Sequence, residues 1–448
     1  MHSEITPIVF NIIFKNLDCN FYFSIMQEDF LHYVWKYKAF DTNELRTTHG
    51  EKIAIVLLGQ HNFNAGPDFF NAQLSIANQL WAGNVEIHVK SSDWYLHNHE
   101  TDAAYDNVIL HVVWEHDTDV YRQDNSEIAT LELKHYVDKK LILNYQNLIQ
   151  SKSWINCEKD FPEIDDFVLN NWLERLFIER LEAKAKIIDV FLKKSNNDWE
   201  AVLYKMLLKN FGLKVNGESF LSLANSIDFS ILRKLQNNIL DVEALLFGQA
   251  HLLEKKVEDG YFIDLKHRYG FLKQKFSIDN KAVIPAQFFR LRPPNFPTIR
   301  LSQFANLYTL KPQLFSEVIT LKTRKEFYKL FRNGTSDFWM THYTFSKVSK
   351  PSKKLLTKSF MDLLIINTII PVKFSYALAQ GKQIDEEVLK LIRELKMENN
   401  SIVSKFLKLK PIEKTALNSQ GLLQLKHSYC DKNTCLQCTI GNSLILKN

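Results

Sequence analysis

The hydrophobic period changes once along this chain, and that change limits the folds open to it. Between residues 53 and 133 the apolar residues come in short runs of strand type. In 83–90, Val85, Ile87 and Val89 fall on one face and Glu86, His88 and Lys90 on the other, the period of two expected of a β-strand. From Ile164 onward the spacing becomes that of helices. Asp166 is placed to cap a helix reaching Leu192, with Trp172, Leu173, Leu176 and Leu181 among its apolar positions. Asp198 is placed to cap a second helix, which ends at Gly212 as a C′ glycine. One part of the chain must therefore be organised by a sheet and the rest by helices.

The spacing predicts a helix opening at Met26, then strands over 53–58, 69–76, 83–90, 108–114 and 128–133, and a helix over 136–150. The segment 59–68 is rich in turn formers, and Asn78-Gln79 mark a hairpin. Helical patterns recur over 219–238, 241–256, 300–332, 357–370 and 384–409. Pro-rich and basic loops at 292–297 and 347–358 interrupt them. The expected division is a leader over 1–25, with Met26 as the alternative natural start, and an α/β domain over 26–150. A connector (151–163), a helical domain (164–426) and a cysteine-bearing end (427–448) follow. At 448 residues the length suits two or three domains.

Apolar residues make up 46% and charged residues 24%, which excludes a chain disordered throughout. The net charge of +5 permits nucleic-acid binding without requiring it. No run of about 18 uncharged apolar residues occurs, so no membrane partner is expected. The nearest candidate, 360–374, reads as a buried helix ending at Pro371. No basic segment precedes the apolar 8–14, and no small-residue cleavage site follows. The expected compartment is the cytoplasm.

Three of the five cysteines fall within nine residues, as His427-x2-Cys430-x4-Cys435-x2-Cys438. A Cys-x2-Cys pair lets two thiolates grip one ion from a tight turn. The fourth ligand is open between Cys157, His427 and Cys19. Both Zn²⁺ and an iron–sulfur cluster accept such a set. Either would be a structural staple, since four protein ligands leave no position for chemistry. Reduced free cysteines are the plain alternative.

A second constellation lies on the strands. Asp68 begins one strand, and Glu86 lies on the next, eighteen residues later. A hairpin would set the two carboxylates side by side, an arrangement suited to Mg²⁺ or Mn²⁺. Such an ion activates water and stabilises charge on a phosphate. His88 shares the face of Glu86, and Lys90 is four residues along, about 13 Å on a strand. His97, His99, Asp102 and His111 complete a histidine-rich patch. It reads in three ways: a histidine-ligated metal hydrolase site, support for the Asp68–Glu86 ion, or hydrogen-bonded surface and core histidines.

Pro67-Asp68, a hairpin, then Glu86-x-His88, after a first helix with the early acidic Glu28, resembles the PD-(D/E)XK nuclease superfamily. The likeness covers residues 26–135 and departs at His88, where the family has lysine. It implies a restriction-endonuclease-like α/β domain hydrolysing phosphodiester bonds in DNA, or RNA. Asp68 and Glu86 would hold Mg²⁺ or Mn²⁺, His88 would position or activate water, Glu28 would be an outer acidic ligand, and Lys90 and His111 would assist. Some nucleases of the superfamily carry an iron–sulfur staple of one distant cysteine and three C-terminal ones. There the lone cysteine precedes the nuclease motifs, whereas Cys157 follows them; Cys19 would fit that order.

The chain from Met26 on also resembles an uncharacterised bacterial domain-of-unknown-function family. The residues carrying this are 65–72, 81–88, Ser92-Asp93-Trp94, 108–113, Leu291-Arg292-Pro293 and the Cys430–Cys438 end.

In the helical half, Arg290, Arg292 and Arg300 flank the Pro-rich loop, and Lys347, Lys350, Lys353, Lys354 and Lys358 form a basic stretch. Both are candidates for phosphate contact, with solvated loops as the plain reading. Phe338, Trp339, Tyr343 and Phe345 read as core. The function expected is that of a metal-dependent nuclease. The alternatives are a non-catalytic nucleic-acid- or protein-binding module on the same fold, and the histidine-ligated hydrolase. Nothing in the sequence names a protein partner.

Overall fold

The computed structural model describes residues 26–382 and 386–447. Cys19 and the leader lie outside the described residues. The chain divides into two compact units, one running up to Val168 and joined by His427–Asn448, the other spanning Leu169–Lys426. An N-terminal mixed α/β sheet region is thus followed by a mostly helical region. The cysteine-bearing end folds with the first.

The first unit opens with helix α1 (Glu28–Lys36). Its acidic first turn and Lys36 in its last turn both suit the helix dipole. Phe30, Leu31, Tyr33, Val34 and Trp35 are buried, while Glu28 and His32, one turn apart, share another face. The sheet follows: β1 (Ile53–Leu57), β2 (Gln60–His61), β3 (Phe69–Ile76), β4 (Gln79–Lys90), β5 (Val108–Glu115) and β6 (Thr130–Glu132). The order is β1-β3-β4-β5-β6, with β2 paired to β3. β1, β3 and β4 run antiparallel, and β4, β5 and β6 run parallel. A short helix, α2 (Asp93–Leu96), leads out of β4, and α3 (Lys139–Ile149) packs behind the sheet, with Tyr145 stacked 4.1 Å from Phe30.

The β3–β4 turn is Ala77-Asn78, both left-handed (φ 51° and 68°), which matches the twist of a tight hairpin. β4 starts four residues earlier than its alternating pattern suggested, because its first turn is held by pairing to β3 rather than by burial. β3 carries a bulge between Phe69 and Ala72, with Asn71 at φ 57°. Bulges bend a strand and re-aim its neighbours, and this one lies just past Asp68.

In the second unit Asp198 caps Trp199–Phe211 as expected, accepting from the Ala201 amide at 3.1 Å. Two local expectations are corrected. Gly212 is not left-handed; Leu213 is, at φ 54°. Glycine is needed there because a Cβ would lie 2.3 Å from the Asn216 carbonyl oxygen. The helix through Pro371 does not stop at it. A π-helical turn at Ile365–Ile369 precedes Pro371, which stands at the start of the next α segment, Ile370–Ala379, where its missing N–H matters least. By length and composition Lys358–Ala379 is apolar enough to cross a membrane, but 67% of its apolar window is buried inside the protein. Trp339 is fully buried, and Phe338, Tyr343 and Phe345 pack against the same core.

Gly83 of β4 sits where β5 begins. A Cβ there would lie 2.5 Å from both the Asn107 carbonyl oxygen and Ile109 Cγ2. Gly83→Ala should therefore cost about 1–3 kcal/mol, the usual penalty for overpacking. Thermal unfolding of the purified variant reads this directly; an unchanged Tm would show that the β4–β5 junction yields freely.

Candidate functional site

Strand β4 is buried on both faces over Val85–His88. Val85 and Ile87 join the core with Phe30, Leu31 and Tyr145. Alternation turns Glu86 and His88 the other way, and they are 4% and 1% exposed. A buried carboxylate and a buried imidazole need partners.

Glu86 finds its partner in the loop before β3. The Asp68 amide donates to Glu86 Oε2 at 3.1 Å, and the Ile87 amide donates to Asp68 Oδ2 at 2.9 Å. Each carboxylate is thus held by the backbone beside the other. Helix α1 adds His32, whose Nε2 lies 3.1 Å from Asp68 Oδ2 and 3.7 Å from Glu28 Oε1. His32 Nε2 is buried, and the carboxylates of Asp68 and Glu28 are its close polar neighbours. Glu28, His32 and Asp68 offer ligand atoms within 4.8 Å of one another. Two carboxylates, an imidazole and the adjoining Glu86 are a donor set that fits a divalent cation.

On the other side of Glu86 stand the histidines. Glu86 Oε1 lies 3.3 Å from His99 Nε2 and 3.6 Å from His88 Nε2. His88 Nε2 is 3.1 Å from His97 Nδ1, and His88 Nδ1 is 2.8 Å from His111 Nε2. Tyr105 stacks on His99 at 3.8 Å, and Trp94 meets it edge-on. His88, His97 and His99 form a further group with ligand atoms in mutual reach.

Burial sets the protonation states here. It pushes the Glu86 carboxyl up to about 9, with Asp68 and Glu28 adding in the same direction. It pushes His88 down to about 2, helped by the neighbouring histidines, and His111 down to about 3. Burial also lowers His32, but Asp68 and Glu28 outweigh it and raise the net value. His88 is therefore neutral and enclosed and does not supply a lysine-like charge. The imidazole whose protonated form the neighbouring carboxylates favour is His32.

Other expected residues are placed as follows. Glu28 is beside Asp68, as an outer ligand should be. His111 touches His88 alone among the site groups with a defined hydrogen bond. Asp102 is exposed and caps the turn Ala103–Tyr105. The Lys90 ammonium faces Glu115 at 3.8 Å, at the far end of β4. In the second unit Arg290 and Arg292 are exposed. Arg300 is corrected: it is 6% exposed, donates to Gln303 and Asn295, and lies 3.6 Å above the Phe360 ring. A guanidinium so engaged is part of the core, not a phosphate contact. His32 was missed in the sequence, although Glu28-x3-His32 is the spacing that puts two residues on one helix face.

The cysteines are placed as follows. The Cys157 thiol is pushed up by burial and then by Cys430, Cys438 and Cys435, so the four lie in one electrostatic neighbourhood. The Asn156 amide donates to Cys435 Sγ at 3.4 Å. Gly441 is required because a Cβ would lie 2.1 Å from the Cys435 carbonyl oxygen. His427 is exposed and faces Asp431 at 3.1 Å. Cys157, Cys430, Cys435 and Cys438 are not in disulfides, and a set of four thiols suits a tetrahedral metal or a cluster.

A pH dependence follows. Unfolded, the imidazoles titrate near 6.5, whereas folded His88 and His111 resist protonation down to about 2 and about 3. Below pH 6.5 the unfolded chain binds protons the native one refuses, so stability falls with acidification. Glu86 acts in the opposite sense. Its folded value is about 9 against 4.5, so its contribution is present below pH 4.5 and is lost as the pH rises through 9. Glu86→Gln, which cannot ionise, should match the chelator-treated parent in Tm at pH 5 and exceed it by several degrees at pH 9. A constant difference between the two proteins would refute the assignment.

No curated protein and no solved structure matches the chain. A family model described as a protein of unknown function (DUF2851) matches residues 28–401. The match takes in Glu28, His32, Asp68, Glu86 and the histidines, and stops short of Cys430. It spans well over half of the chain, which belongs to the DUF2851 family of proteins of unknown function.

Proposed function

We propose that this protein is a metal-dependent nuclease whose first unit has a restriction-endonuclease-like fold. The observation that carries the reading is the reciprocal bracing of Asp68 and Glu86 at the base of the β3–β4 hairpin, with Glu28 and His32 of α1 beside them. A helix, an antiparallel hairpin bearing both carboxylates and a following parallel strand agree with that superfamily plan. Asp68, Glu86, Glu28 and His32 would hold Mg²⁺ or Mn²⁺, which when bound neutralises phosphate charge and acidifies water.

The chain's own groups do the positioning. The Ile87 and Asp68 amides hold the carboxylates before any ligand arrives, so no reorganisation is needed during reaction. Burial excludes competing water and strengthens each interaction. A cleft of about 410 Å³ reaches His32 and is lined by Lys36, Tyr37, His61, Phe63 and Lys432. Phe63 is 74% exposed and Tyr37 47% exposed, with the Lys36 ammonium over both rings. Exposed rings beside lysines suit stacked bases and phosphates, which favours a nucleic-acid substrate.

Linear and circular, single- and double-stranded DNA should be cleaved with Mg²⁺ or Mn²⁺, and chelator should stop the reaction. Asp68→Asn should lower the rate by more than the roughly 10–100-fold typical of residues that only support a metal ligand. A folded parent that binds nucleic acid and cleaves none would establish the binding-module reading instead.

We also propose that Cys157, Cys430, Cys435 and Cys438 hold Zn²⁺ or an iron–sulfur cluster as a structural staple. Elemental analysis and visible absorption distinguish the two. Cys157→Ser should lose the group and lower Tm on the order of 10 °C, at a few degrees per kcal/mol. His427→Ala should retain it; loss in His427→Ala with retention in Cys157→Ser would reverse the ligand assignment.

A further inference from the structure

We infer that His88, His97, His99 and Glu86 form a second metal site, selective for a tetrahedral transition-metal dication of the Zn²⁺ class. It shares the Glu86 carboxylate with the Asp68 site.

The distances carry the argument. A Zn²⁺ ion lies about 2.0–2.1 Å from nitrogen and oxygen ligands, so the corners of its tetrahedron are about 3.3–3.4 Å apart. Three edges are defined here: His88 Nε2 to His97 Nδ1 at 3.1 Å, His99 Nε2 to Glu86 Oε1 at 3.3 Å, and His88 Nε2 to Glu86 Oε1 at 3.6 Å. The three histidines keep their ligand atoms within 4.8 Å of one another. His88 Nε2 thus lies about one tetrahedral edge from both His97 Nδ1 and Glu86 Oε1, and His99 Nε2 about one edge from the same Glu86 oxygen. Three imidazoles and a carboxylate favour Zn²⁺ and its neighbours over Mg²⁺, which takes an oxygen-rich octahedron.

The surroundings prepare these donors. A metal-bound histidine usually donates its other ring N–H to a partner that fixes its tautomer. His88 does so if Nδ1–H points to His111 Nε2, 2.8 Å away, which leaves the Nε2 lone pair facing His97, His99 and Glu86. His99 is held between Tyr105 and Trp94. His97 is exposed and gives an ion a route in from solvent.

The site also adjoins the one at Asp68. Glu86 is buried, with Asp68 on one side and His88 and His99 on the other. A dication against Oε1 would leave Oε2 with the Asp68 amide. Glu86 would then stand between two metal positions, and paired metal ions are common in phosphoester hydrolysis. Only this last role rests on the nuclease reading. The histidine site stands without it.

Co²⁺ is the probe. Tetrahedral Co²⁺ absorbs strongly in the visible and octahedral Co²⁺ weakly, while thiolate ligands add charge-transfer bands in the near ultraviolet. Metal-stripped full-length protein titrated with Co²⁺ should give visible bands beyond those that accompany the thiolate signal. His97→Ala, at an exposed position, and His99→Gln should each weaken this binding by about 100-fold or more while the thiolate bands persist. Asp68→Asn should keep the histidine-site spectrum within about 2-fold even where it abolishes cleavage, so that the two readings fail separately. Tetrahedral bands that all report thiolate, or that survive both histidine substitutions, would overturn the site.

Discussion

Two backbone amides, those of Asp68 and Ile87, each hold the carboxylate that belongs to the other's stretch of chain. Because of this exchange the loop before β3 and the middle of β4 behave as one piece. Breaking either bond would leave a largely buried carboxyl group without its donor, at the cost of an unsatisfied buried polar group. The bulge past Asp68, the tight Ala77-Asn78 turn and the close approach at Gly83 set the register that makes the exchange possible. Helix α1 can offer Glu28 and His32 to the pair because its opposite face is anchored by Phe30 and Val34 in the core.

The chemistry of the site follows from where the positive charge is placed. A lysine two residues past Glu86 would bring a permanent cation. Histidine at that position is buried and neutral, and its ring nitrogens are directed at other imidazoles. The neighbouring carboxylates instead favour the protonated form of His32, and bound metal would bring positive charge in the reading proposed here. This makes the site conditional on its ions to a degree that a lysine-bearing site would not be.

The C-terminal segment belongs energetically to the first unit. Ile445 is buried in the same core as Val85 and Tyr145, and the Asn144 side chain donates to the Ile445 carbonyl at 3.1 Å. Cys157 and the three late cysteines meet in that unit, so a bound metal would close a loop containing the whole helical unit. Joining segments so distant in sequence removes a large share of the unfolded chain's freedom, whatever its exact apportionment.

Local patterns alone were enough to read some features. The two-residue alternation of β4, the capping by Asp198 and the shift from strand to helix spacing depend on neighbours a few residues apart, and all are visible in the linear order. The pairing of Asp68 with Glu86 was also legible, since a short hairpin leaves few registers. Other features needed the fold. The neutrality of His88 comes from burial beside His97, His99 and His111, all well away from it in the sequence. His32 became part of the site only when α1 docked against the strands. Arg300 looked like a surface cation until packing placed it over Phe360. The nearness of Cys157 to the three late cysteines depends on segments far apart in the chain. Residue type and spacing set which groups are available, but burial, charge and long-range contact depend on three-dimensional neighbours, and those exist only after the chain has closed on itself.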